Sequence, residues 1–323
     1  MKGDAVEDAL TEAAYAIRSA SEVSLACHVS PDGDALGSML ALHHVLGAAG
    51  IRSVASFSEP FITAPHYRDL PGLELLTPPD RFPREPQVMV TFDSGSLGRL
   101  GDLEPSAKAA SELVVIDHHV SNQRYGTINV IDPDAAASGV LVRRLIGRLE
   151  LPMTRDAAVC LYAALVCDTG RFQYQTTTPA VFELARELSG FDLPIPELSR
   201  TLFEEHRFAY LQLLADALQR AVLVPDKQFV WTKVSQSDLA HHGVTFEEIE
   251  GLIDILRRTR EAEVSCVLKQ GPDSTWRVSL RSLGSVDVRE IAERKGGGGH
   301  RFAAGFTSDE SAEDVVAQIL DAL

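Results

Sequence analysis

The chain is poor in cysteine. It has four in 323 residues, Cys27, Cys160, Cys167 and Cys266, all within apolar runs and none in CxxC spacing. That pattern excludes a disulfide framework and points to buried free thiols in a reducing compartment. Basic residues are also scarce, with 30 Lys and Arg against 46 Asp and Glu, for a net charge of −16. A protein that grips long nucleic acid draws most of its affinity from phosphate neutralisation, and this chain would repel a long polyanion. Short phosphorylated ligands held in a cleft stay compatible with the balance. No apolar run is long enough to span a bilayer, and the N-terminus MKGDAVEDALTEAAYAI lacks a secretory h-region. It reads as an amphipathic first helix, and the expectation is a cytoplasmic protein. There is no internal repeat, no GxGxxG spacing and no low-complexity tract beyond one glycine run.

What is present is a pattern of strands that end in ligand-type residues. The apolar stretch 113–116 stops at Asp117-His118-His119. The stretch 23–27 runs into His28 and then Pro31-Asp32-Gly33-Asp34, and 87–92 ends at Asp93. A helical apolar run, 157–167, stops at Asp168. In open α/β sheets, ligands collect beyond the carboxyl ends of the strands. Mixed carboxylate and imidazole ligands suit divalent manganese, iron or zinc.

Each motif has a plainer reading as well. Asp34 also reads as the N-cap of the helix that follows. Asp93 in FDSGS also reads as a turn former, but one carboxylate can bridge two cations. Asp117 suits a role orienting one imidazole, which would leave the other histidine for substrate. Asp168 at a helix C-terminus is disfavoured by the helix dipole, so a compensating cation would explain it. The pairs His43-His44 and His241-His242 lie in helix-like stretches away from strand ends and read as structural.

Length predicts two domains. Residues 1–190 alternate strands (23–27, 52–57, 87–92, 113–116, 127–131) with helices (35–49, 137–149, 155–167, 179–188). That alternation predicts a doubly wound, mainly parallel sheet. A helical pattern over 195–223 predicts a connecting helix, giving a linker at 191–222. Residues 223–323 read as a smaller α+β domain, with strands at 228–234, 263–269 and 275–281 and helices at 237–241, 246–258, 288–295 and 312–322. Its GGGGHRFAAGF segment, 296–306, reads as a loop whose bare backbone can approach an anion, with Arg281 and Ser282 nearby.

Taken together these motifs resemble the DHH phosphoesterase superfamily over nearly the whole chain. HVSPDGDALGS is similar to its first motif, VTFDSG to its second, VVIDHH to the motif that names it and LVCDTGRF to its fourth. RKGGGGHRFAAGF is similar to the signature of the DHH-associated domain. The two-domain plan resembles the oligoribonucleases of the nano-RNase A type. That resemblance implies two manganese ions, one on His28, Asp32 and Asp93 and one on Asp34, Asp93, His118 and Asp168. It implies that His119 contacts the scissile phosphate, so that His119, Asp93 and Asp117 form the catalytic set. Arg281, Ser282, Gly297, Gly298, Gly299 and His300 would hold the distal part of the substrate. Short oligoribonucleotides, 3′-phosphoadenosine 5′-phosphate and cyclic di-AMP or its linear product are the implied substrates.

Three rival readings stand beside this one. They are a manganese-dependent inorganic pyrophosphatase, a RecJ-like exonuclease and a nucleotide-binding regulator without catalysis. The GGGGH segment weighs against the first, the chain length against the second and the complete ligand set against the third. A homodimer is the expected assembly.

Overall fold

The computed structural model describes residues 2–323, with side chains from residue 5 onward. The chain divides into two units, Met1–Glu204 and Glu205–Leu323.

In the first unit, apolar strands buried on both faces build a parallel sheet. The elements are α1 (Lys2–Ser19), β1 (Val23–Cys27), α2 (Gly33–Ala48), β2 (Ser53–Ser56), β3 (Val88–Phe92), α3 (Glu104–Ala109), β4 (Glu112–Asp117) and β5 (Ile128–Ile131). They continue with α4 (Ser138–Leu149), α5 (Arg155–Asp168), α6 (Pro179–Ser189) and α7 (Ile195–Phe203). Strand order is β2-β1-β3-β4-β5, all parallel. This is a doubly wound order with its topological switch between β1 and β3.

Side-chain alternation explains why both faces need cover. Val23, Leu25 and Cys27 of β1, Val90 and Phe92 of β3, and Val114 and Ile116 of β4 join one core with residues of α1, α2, α4 and α5. Ala26, Met89, Leu113 and Val115 point the other way, into a smaller core with Leu100, Leu103 and Ala107.

The closest helix packing is between α2 and α5. A Cβ at Gly37 would lie 2.4 Å from the Cys160 carbonyl oxygen, which only glycine avoids. The N-terminus of α2 and the C-terminus of α5 thereby lie side by side.

The second unit holds α8 (Phe208–Gln219), β6 (Val222–Val224), β7 (Phe229–Val234), α9 (Gln236–His242), α10 (Leu252–Leu256), β8 (Val264–Gln270) and β9 (Trp276–Ser282). It closes with α11 (Val288–Glu293), β10 (Gly298–His300), β11 (Ala303–Ser308) and α12 (Ala312–Ala322). The six-stranded sheet has the order β10-β11-β9-β8-β7-β6, mixed because β7 and β8 pair in parallel. α11 and α12 cover one face, through Val288, Ile291, Val315 and Ile319 against Val264, Cys266, Val278 and Leu280. Residues of α8, α9 and α10 pack on Val230, Val234 and Val267 of the other face.

Three expectations change here. The helix expected over 195–223 is two helices, α7 and α8, and the unit boundary falls between them. Arg207 is extended at φ −62° and ψ 145°, and its guanidinium is tied to Glu248 and the Gly243 carbonyl. Val222 and Leu223 leave the helical pattern and pair, with Val224, against β7. The helix expected over 246–258 shrinks to α10 preceded by a single 3₁₀ turn, with Gly251 at the break.

The glycine-rich segment is a strand where a loop was expected. Gly298, Gly299 and His300 pair antiparallel with Gly305, Ala304 and Ala303. A Cβ on Gly297 would sit 2.2 Å from the Gly305 carbonyl oxygen, so glycine permits the close backbone approach. Gly299, at φ +137°, adopts a conformation that other residues avoid.

Candidate metal centre

The switch between β1 and β3 is where the strand-end residues meet. His28 leaves β1, Asp93 leaves β3, and Asp117, His118 and His119 form the end of β4 and the turn after it. Asp32 and Asp34 stand at the start of α2, and Asp168 is the last residue of α5.

Asp93 is the centre of this set. Its Oδ2 lies 3.6 Å from His28 Nε2, and its Oδ1 lies 3.6 Å from His118 Nε2. The two carboxylate oxygens therefore serve two different imidazoles. Asp32 Oδ2 is 3.9 Å from His28 Nε2. Asp34 Oδ2 is 3.7 Å and Asp168 Oδ2 is 3.0 Å from His118 Nε2. Two triads, His28/Asp32/Asp93 and Asp34/Asp93/His118, each bring their ligand atoms within 4.8 Å of one another and share Asp93. Asp93 holds φ +53°, an uncommon backbone conformation that Asp tolerates better than most residues. Its N–H donates to the Ile116 carbonyl at 2.9 Å, which pins the strained turn to β4.

Electrostatics show why these groups suit a cation. Burial, then the charge of Asp93, pushes the Asp32 carboxyl up. Burial, then Asp93 and Asp168, pushes Asp34 well up. Burial works in the same sense on Asp93, yet His119, His28 and His118 outweigh it and hold that carboxyl well below the usual range. Burial lowers the His118 imidazole, but Asp168, Asp93 and Asp34 together raise it well above its ordinary value. Several carboxylates thus crowd one buried volume, and divalent cations would relieve their repulsion. The donor set is imidazole nitrogen and carboxylate oxygen, which fits such an ion.

The supporting contacts refine the sequence reading. Asp32 is the N-cap of α2, accepting from the N–H groups of Asp34 and Ala35 at 3.1 and 3.0 Å. Asp34, expected as an alternative cap for that helix, caps a different one. It accepts from Ser138 N at 2.6 Å and Gly139 N at 3.0 Å, at the start of α4. His118 Nδ1 faces the Ala135 carbonyl at 3.0 Å. Asp117 is fully buried, and the imidazole it holds is His119, with Oδ1 2.7 Å from Nδ1. The expectation that Asp117 frees the substrate histidine is thus reversed, since it orients the histidine assigned to substrate.

Three neighbours were not anticipated. Ser138 Oγ donates to Asp93 Oδ1 at 2.9 Å. Asn122 Nδ2 donates to Asp117 Oδ2 at 2.6 Å. Arg99 Nη2 lies 3.0 Å from His28 Nδ1. Asn122 closes the string VVIDHHVSN and so carried a signal, while Ser138 and Arg99 sit outside any strand-end pattern.

The residues expected to hold the distal substrate lie in the second unit. His300 pairs with Ala303, and Ala303 with Arg281, in one transverse row across β10, β11 and β9. Residues paired across strands project from the same face, so His300 and Arg281 stand about 9–10 Å apart over a small alanine. Gly298 and Gly299 belong to β10, and Gly297 precedes it. Ser282 is turned away, donating its hydroxyl to Glu263 Oε1 at 2.9 Å.

Comparison with known proteins identifies the family of both units. Residues 22–165 match the DHH family, N-terminal domain, and residues 226–323 match the DHHA1 domain. A Thermus thermophilus protein named bifunctional oligoribonuclease and PAP phosphatase NrnA is 30% identical over 88% of this chain and 83% of its own length. A Streptococcus mutans protein named as a probable bifunctional oligoribonuclease and PAP phosphatase NrnA is 26% identical over 89% of each chain. The crystal structure of an exopolyphosphatase-related protein from Bacteroides fragilis superposes with a TM-score of 0.87, at 23% identity over 98% of this chain and 95% of that one. That likeness extends the fold match to both units. Among the described residues, no helix is long and apolar enough to cross a membrane. With a DHH match over residues 22–165, a DHHA1 match over residues 226–323 and a 30% identical relative over most of its length, the chain belongs to the DHH family.

Proposed function

We propose that the protein is a phosphoesterase that uses two divalent cations, preferably manganese, to hydrolyse short oligoribonucleotides and 3′-phosphoadenosine 5′-phosphate. Cyclic di-AMP or its linear product belongs to the same reading. The observation that carries it is Asp93, whose two oxygens face His28 and His118 in two adjoining triads. Oligoribonucleotides and 3′-phosphoadenosine 5′-phosphate are carried over from the names of the relatives, and the cyclic dinucleotide from the family resemblance.

His28, Asp32 and Asp93 would hold one ion, and Asp34, Asp93, His118 and Asp168 the other. Bound there, the ions would lower the pKa of a coordinated water towards roughly 7 and draw charge from the phosphoryl oxygens. Asp117 fixes the His119 ring by accepting a hydrogen bond from Nδ1–H, which would leave Nε2 to meet the scissile phosphate. Burial lowers the His119 imidazole, but Asp93 and Asp117 raise it on balance. His119 then donates a hydrogen bond where negative charge develops. Arg281, His300 and the backbone of residues 297–299 would hold the substrate beyond that phosphate. Ser282 would contribute through its backbone, because its hydroxyl is engaged by Glu263.

The test is chelation followed by manganese addition, assayed on a diribonucleotide, 3′-phosphoadenosine 5′-phosphate and cyclic di-AMP. Chelation should abolish activity and manganese should restore it. Asp93→Ala should be among the most damaging single changes, with metal content falling for both ions. Protein that keeps full activity while elemental analysis finds no transition metal would sink the proposal.

A further inference from the structure

Two groups compete for one nitrogen of His28. The Val29 carbonyl lies 2.9 Å from Nδ1 and can only accept a proton. Arg99 Nη2 lies 3.0 Å from the same Nδ1 and can only donate one. A neutral imidazole cannot satisfy both, since Nδ1 either carries the proton or offers its lone pair. With Arg99 engaged, the proton sits on Nε2 and points among Asp93 Oδ2 at 3.6 Å and Asp32 Oδ2 at 3.9 Å. With Val29 engaged, Nε2 offers a lone pair to that same space. Only the second form can ligate a cation through Nε2.

We infer that Arg99 is a positioning residue that holds His28 in the tautomer unable to bind metal, and that cation binding releases its guanidinium to take a substrate phosphate. This rests on the metal-site reading above. The ring keeps one proton in both forms, so the exchange changes its tautomer and leaves its charge unchanged.

The backbone has no need to move. The Arg99 carbonyl accepts from Val29 N at 2.9 Å, and the segment beyond is fastened by Asp102 N donating to Ser58 Oγ at 2.8 Å. Only the side chain is released. Arg99 is exposed, so its guanidinium is within reach of an incoming anion. A guanidinium matches phosphate with two parallel hydrogen bonds. Metal occupancy and substrate affinity are then coupled, and the coupling is reciprocal.

The experiment has three readouts on wild type, Arg99→Ala and Arg99→Lys. In chelator, ¹⁵N NMR of the His28 ring should show the Nε2–H form in wild type and the Nδ1–H form in Arg99→Ala. Calorimetry should show Arg99→Ala binding manganese about 2–10-fold more tightly, the scale of one net hydrogen bond relieved. Steady-state kinetics on a diribonucleotide should show a loss that falls on KM more than on kcat, partly recovered in Arg99→Lys. An Nδ1–H form already present in wild type would overturn the inference, and so would weaker manganese binding by Arg99→Ala. If neither protein binds manganese, the metal-site reading falls, while the NMR tautomer still decides what Arg99 does to His28.

Discussion

Removing the Asp34 carboxylate should destabilise the first unit as well as inactivate it. Asp34 accepts from Ser138 N at 2.6 Å, from Gly139 N at 3.0 Å and from Ser38 Oγ at 3.0 Å. The two backbone donors open α4, whose preceding residue, Ala137, supplies no side-chain cap. Asp34 thus does the work of an N-cap from 104 residues away. Asp34→Ala strands both donors in a buried place, at about 1–3 kcal/mol each, or about 2–6 kcal/mol together. Relief opposes part of that cost, because burial, Asp93 and Asp168 already press the Asp34 carboxyl towards its neutral form. The net loss is therefore smaller than that sum. Asp34→Asn keeps one carbonyl acceptor and should lose less than half as much. Urea unfolding in chelator, followed by circular dichroism, separates this effect from metal binding. If Asp34→Ala loses its metal yet unfolds at the wild-type midpoint, the argument that Asp34 holds α4 is refuted.

His119→Ala should keep its metal content and lose about 10²–10³ in turnover, the scale of one transition-state donor. Metal loss as complete as in His118→Ala would mean that the two histidines have been misassigned. A length series from two to about twenty nucleotides should show efficient cleavage of di- to tetranucleotides and a steep fall beyond, since a chain of net charge −16 gives a long strand little grip. Equal rates across the series would move the protein towards a processive exonuclease. His300→Ala should damage dinucleotide hydrolysis far more than hydrolysis of a small chromogenic phosphodiester, and equal loss on both would place His300 at the reaction itself. Stability in chelator should fall as pH rises above about 6.5, the ordinary imidazole value. Asp32, Asp34, His118 and His119 all have raised pKa values in the fold. The stability each adds is present below its unfolded pKa and is lost as pH rises through the folded one. Manganese should flatten that slope, and a stability that climbs with pH in chelator would contradict the assignment.

The first sheet was readable because burial on both faces leaves nearly continuous apolar runs, and each run stops at a residue that cannot be buried unpaired. That is why His28, Asp93 and Asp117 read as strand-end residues from the sequence alone. Pairing over distance was not readable. Nothing local says that Asp34 caps α4, that Ser138 meets Asp93 or that Arg99 reaches His28, because each contact depends on how separate loops converge. The second unit was harder for a different reason. Val222 and Leu223 continue a helical pattern in sequence, and only the neighbouring β7 draws them, with Val224, into a strand. Glycine at 297–299 has weak local preference, so β10 exists because β11 offers it a backbone partner.

The missing side chain at Gly37 carries a consequence for which ion the protein accepts. Asp34 and Asp168 approach the centre from two helices that touch where a Cβ would lie 2.4 Å from the Cys160 carbonyl oxygen. The gap between these carboxylates is therefore set by a helix contact outside the coordination sphere. Calcium–oxygen bonds are about 0.3–0.5 Å longer than magnesium–oxygen bonds, so spreading the helices by a few tenths of an ångström spans the difference between small and large divalent ions. Gly37→Ala should then shift the ranking of activating metals towards the larger ones with every proposed ligand residue retained. In the proposed centre, ionic selectivity would then depend on a packing residue that never meets the ion.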